Sequence, residues 1–104
     1  MVYSILVYDE NNYFDNVQNR FKTNGTKFYA IVKAVKKMEL YKLPNASINY
    51  NAFGKCCQIL IERSKENKNF YKWDIWRIEN DGIFYIIEQG SGYGYDLIEY
   101  YKYA

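Results

Sequence analysis

Two β-prone apolar runs, Phe70–Glu79 and Ile83–Gln89, flank Asn80-Asp81-Gly82, and a chain with that pattern is committed to antiparallel sheet. Glycine supplies the positive φ that so tight a reversal needs. With a three-residue loop, Trp76 and Ile78 pair with Ile86 and Phe84 on one face, while Trp73, Ile75, Tyr85 and Ile87 occupy the other. The same register makes Asp74 and Glu88 cross-strand neighbours. Such a pair could share a proton as an acid–base dyad, but here it reads as two edge charges relieved by Lys72.

Upstream, Val2–Tyr8 is a nearly continuous apolar run closed by Asp9-Glu10-Asn11-Asn12, which predicts a buried strand and a polar turn. Tyr13, Val17 and Phe21 then recur every four residues up to Asn24-Gly25, the pattern of a short helix. Phe28, Ile31, Val32, Val35 and Met38 follow an amphipathic helical series that stops at Pro44. The rival there is a strand over Lys27–Val35, disfavoured because it would put Lys33 on the face of Ile31. A further helix is expected from Ser47 or Asn49 through Phe53, Cys56, Cys57, Leu60 and Ile61 to Ser64, weakened by Gly54. After the hairpin, Gly90-Ser91-Gly92 reads as a reversal, and the alternation of Tyr93, Tyr95, Leu97, Tyr101 and Tyr103 as a last strand, with a helix from Asp96 as competitor. The expected fold is a single α+β domain over residues 1–104, a four-stranded, mostly antiparallel sheet with two to three helices packed on one face.

Composition narrows the chemistry. Among 104 residues there are 13 tyrosines and no histidine. Histidine is the side chain that titrates near neutrality and the commonest metal ligand, so most triads and zinc sites are excluded. No metal site, cofactor or catalytic residue is expected. Cys56 and Cys57 are adjacent, a spacing unlike redox or zinc motifs, and read as free thiols. Apolar stretches fall far short of the roughly 20 residues a membrane helix needs. Met1–Asp9 lacks the pattern of a secretory signal. A soluble, cytoplasmic protein is the expectation.

Gln89-Gly90-Ser91-Gly92-Tyr93-Gly94 resembles the Q-x-x-G-x-G loop of acyl-CoA-dependent N-acetyltransferases. That resemblance implies backbone amides cradling a phosphate, and a minimal acyltransferase-like enzyme as the outlying possibility. It covers six residues, and the family's loop opens a helix that is followed by a further strand and helix. A strand-to-strand turn is therefore the preferred reading.

Two surfaces remain. Arg20–Lys42 carries seven cations against Glu39 alone, and on a helix Lys33, Lys36 and Lys37 form a ridge able to meet phosphates or an acidic protein surface. Trp73, Tyr85, Tyr93, Tyr95, Tyr101 and Tyr103 are the candidates for partner binding. Tyrosine brings contact area at low ordering cost, and so small an interior cannot hide every ring. The expected function is a non-enzymatic binding or inhibitor protein acting on a macromolecular partner, foremost a protein, through a Tyr-rich sheet face and the lysine ridge. By size and compositional association, a viral or phage anti-defence inhibitor of the anti-CRISPR type, acting in the host cytoplasm, fits. The alternative is a nucleic-acid or nucleotide-binding module that holds phosphates with the lysines and stacks bases on the rings. A tyrosine-lined edge strand also makes a homodimer an expectation.

Overall fold

The computed structural model describes residues 1–10 and 19–103, with 100, 101 and 103 described by backbone alone. Among them, six strands form one antiparallel sheet: β1 (Val2–Tyr8), β2 (Arg20–Asn24), β3 (Asn45–Ala52), β4 (Lys55–Arg63), β5 (Phe70–Ile78) and β6 (Phe84–Tyr93). Their spatial order is β2-β1-β3-β4-β5-β6. Helix α1 (Lys27–Tyr41) packs on β1 and β3, and α2 (Gly94–Tyr103) lies against α1 and β6. The expected four-stranded sheet with two to three helices on one face is thus corrected to a six-stranded sheet with two helices among the described residues, because the segment read as helical from Ser47 to Ser64 is a pair of strands and the described end of the one read from Asn12 is β2.

Period-2 alternation builds the core. Ile5 faces Ile48, Ile48 faces Ile59, and Ile59 faces Ile75, so one row of β-branched side chains crosses four strands, none more than 2% exposed. Such cross-strand pairs are what stabilise a sheet. Ile31, Val32, Ala34, Val35 and Met38 of α1 close over this row. The helix starts where Thr26 caps it, its hydroxyl accepting from the Tyr29 amide at 3.1 Å and satisfying one orphan donor. It ends at Lys42, whose left-handed backbone (φ 56°) turns its N–H to the Met38 carbonyl, two residues before Pro44.

The helix expected from Ser47 to Ser64 is instead the β3–β4 hairpin. Phe53, Cys56, Cys57, Leu60 and Ile61 do have helical spacing, but Ala46, Ile48, Tyr50, Cys57, Ile59 and Ile61 are the buried apolar residues and they alternate. Phe53 and Gly54 take φ of 53° and 77°, the two positive values of a hairpin turn whose twist matches its strands. Phe53 is consequently fully exposed. Of the short helix expected from Asn12, residues 11–18 lie outside the described residues, and its far end is β2, where Phe21 pairs with Ile5.

The C-terminal hairpin has the expected loop, Glu79 bonding Ile83 around Asn80-Asp81-Gly82, and the expected pairs Trp76–Ile86 and Ile78–Phe84. A bulge between Ile75 and Trp76 then shifts the register, so Trp73 faces Gly90 and Asp74 faces Gln89. Gly90-Ser91-Gly92 is therefore strand, not reversal, and the expected last strand is α2. Its Leu97 packs over Gly92, and the Gly94 amide is bonded to the Asn69 carbonyl at 2.7 Å. The bulge brings a residue without a side chain opposite the largest ring. A Cβ at Gly90 would lie 2.3 Å from Nε1 of Trp73, closer than any packing allows. Gly90→Ala should lower stability by about 1–3 kcal/mol through this overpacking, read by urea denaturation, with a changed Trp fluorescence in the native state.

Candidate protein-binding edge

The two edges of the sheet are built differently. β2 has five residues, and its outward positions Arg20, Lys22 and Asn24 are polar and exposed. A short, cationic edge resists strand addition. β6 has ten residues, contains no Lys, Arg or Pro, and has one charge, Glu88, paired with Lys27 of α1. Its N-terminal half and the residue before it are consecutive exposed apolar side chains: Ile83 57%, Phe84 46%, Tyr85 45%, Ile86 45% and Ile87 42%. Neighbouring strand residues point to opposite faces, so exposure of all five means that neither face is covered there. α2 reaches only the Gly92 end of the strand.

The turn holding this run is pinned. Glu79 accepts from Arg77 Nε at 2.7 Å and pairs with Lys55, tying the hairpin to the start of β4. Hydrogen bonds from Lys55 and then Arg77 hold the Glu79 carboxyl below its ordinary range. Asp81 accepts from the Tyr85 hydroxyl at 2.6 Å and from the Ile83 amide at 3.0 Å, which lowers its pKa and raises that of Tyr85. A second aromatic group lies at the other end of β6. Tyr93 sits edge-on to Phe70 at 5.2 Å and stacks on Tyr95 at 5.5 Å.

Of the sequence-predicted contact residues, Tyr85, Tyr93 and Tyr95 are exposed along β6 and the start of α2, whereas Trp73 is buried against Gly90. Tyr101 and Tyr103 fall in α2, their side chains outside the described residues. The sheet face away from the helices is not tyrosine-rich: at its centre stand Ser4, Asn49 and Gln58, with Gln58 donating to the buried Ser47 hydroxyl at 3.2 Å. Sequence reasoning missed Phe84, Ile86 and Ile87 as surface. The I-F-Y-I-I run was visible, but nothing local says that its strand stands at the border of the described sheet.

The lysine ridge divides. Lys33 and Lys36 line a groove of about 370 Å³ between the helices, with Ile98 and Lys102 on its far wall. Lys37 lies on the other side, 5.6 Å from the Phe21 ring and 5.7 Å from that of Tyr41. Asp74 accepts from Gln89 at 2.7 Å and Glu88 pairs with Lys27, so the carboxylate dyad is not formed. Among the described residues, no group of three or more His, Cys, Asp or Glu is placed to hold a metal ion, and no helix is long and apolar enough to cross a membrane. The glycine-rich Gln89–Gly94 segment is extended strand running into α2, without an open loop.

Other tyrosines are core. Burial first, then the Glu39 carboxylate, pushes the Tyr71 phenol up to about 12, opposed by Arg63, and its hydroxyl donates to Glu39 at 3.4 Å. Burial and the neighbouring Cys57 also raise Tyr3 and Tyr50, whose rings meet at 4.9 Å. A folded-state pKa raised above the unfolded value gives stability that is complete below the ordinary tyrosine pKa of about 10 and is lost as pH rises through the folded one. Unfolding free energy should accordingly be insensitive to these groups below about pH 10 and fall steeply above it, with Tyr71→Phe making the fall shallower; alkaline urea titrations read both. Cys56 and Cys57 point to opposite sides of β4, one exposed and one buried. One thiol should react with a maleimide in the native protein and two after denaturation.

Comparison of the chain with family models, with curated proteins and with solved structures finds no match.

Proposed function

We propose that this chain is a small, non-enzymatic protein-binding module that engages its partner by strand addition to β6. The observation that supports this reading is the Ile83–Ile87 run, five exposed apolar residues in succession on a long edge whose one charge is already paired. Main-chain groups of such an edge supply a hydrogen-bonding ladder, and alternate side chains supply selectivity. Tyr93 and Tyr95 would extend the contact at the far end of the strand. Inhibition by occluding a partner's working surface suits a domain of this size.

The groove that gathers Lys33, Lys36 and Lys102 favours a second reading, an anionic polymer held along the helices. Its signature is a mobility shift on nucleic acid that weakens steeply with salt.

The two readings separate in one comparison. Tagged protein should capture a partner from extracts of its source cell. Ile86→Lys should reduce capture by about tenfold or more, because it puts a charge on the pairing edge, while a Lys33→Glu, Lys36→Glu variant should capture normally. Capture untouched by Ile86→Lys would overturn the strand-addition reading.

A further inference from the structure

The apolar run of β6 is self-complementary. Antiparallel strands related by a two-fold axis perpendicular to their sheet pair residue with residue about one central position. With the axis at Tyr85, Tyr85 faces its own copy, Phe84 faces Ile86, and Ile83 faces Ile87. Every pair of the five exposed side chains is then apolar on apolar. The flanks agree as well. Beyond Ile87 the register irregularity of β6 turns Glu88 toward the helices, where it is already paired with Lys27, so it does not meet its own copy. Moving the axis to Ile86 would instead set Phe84 against Glu88.

We propose that the strand received by β6 is β6 of a second copy of this chain, giving a two-fold dimer with one continuous sheet of twelve described strands. The proposal rests on the reading of β6 as the contact surface and names its occupant. The cationic, five-residue β2 stays at the outer ends and stops further growth, so the assembly closes at two. Each end of the pair leaves the Tyr93–Tyr95 stack outside the five-residue contact.

The test uses the full chain in sedimentation equilibrium. The wild type should sediment at twice its 12.5 kDa. Phe84→Glu and Ile86→Lys should each weaken self-association about a hundredfold or more, since each sets two unpaired charges against apolar side chains. Mixing the two variants should restore a dimer. The carboxylate brought by Phe84→Glu then faces the ammonium brought by Ile86→Lys, while the unchanged Ile86 of the first variant meets the unchanged Phe84 of the second across the axis. Circular dichroism of each variant confirms that it folds, and the rescue by mixing needs two folded chains. A wild type that stays monomeric throughout a concentration series would overturn the proposal. So would a dimer indifferent to both charges, or one dissolved by them and not rescued by mixing. A monomeric wild type whose partner capture is still abolished by Ile86→Lys would overturn self-pairing alone and leave the contact surface standing.

Discussion

Width is the constraint from which the rest follows. Six strands about 4.8 Å apart span roughly 24 Å between the outermost axes, and one helix with its side chains covers about 10–12 Å. The 15 residues of α1 therefore shield the middle of the sheet, where the isoleucine row lies. α2 extends cover toward one end of β6 and no further. Whatever lies outside that footprint must be polar, short, or intended for another molecule. At β2 the chain takes the first two courses, and the proposed strand addition assigns the third to β6.

The parts of the fold that could be read from the residues are those in which a local signal and the final packing agree. Val2–Tyr8 reads as strand and is one, although only its alternate residues Tyr3, Ile5 and Val7 are buried. Asn80-Asp81-Gly82 specifies its own reversal. The series from Phe28 to Met38 fits a helix because its lysines fall away from the core. Failure came where one set of residues satisfies two periods at once. Cys57 and Ile61 belong to a helical series with Phe53 and also to a strand alternation with Ile59. Only pairing with Tyr50, Ile48 and Ala46 on β3 decides between them, and that is a tertiary matter.

The exposed apolar surface was legible in kind and not in place. An excess of rings over interior was visible in the composition. Tyr3, Tyr50, Tyr71 and Trp73 nevertheless went inside, and the accessible apolar surface turned out to be as much isoleucine and phenylalanine as tyrosine. Which rings stay outside is set by the order of strands and by the bulge, neither of which leaves a local mark. The glycines of β6 show the same thing: they resemble a phosphate loop or a turn until Trp73 is placed opposite Gly90, after which their smallness is a packing requirement.

The single inserted residue at the Ile75/Trp76 irregularity reverses parity along β6. On its C-terminal side, even-numbered positions (Glu88, Gly90, Gly92) look toward the helices. On its N-terminal side, even-numbered positions (Phe84, Ile86) look away from them. Evolution can therefore exchange the inner and outer aspects of this border by gaining or losing one codon, with no change of residue type. A relative one residue shorter between Ile86 and Gly90 would display a different chemistry on the same scaffold.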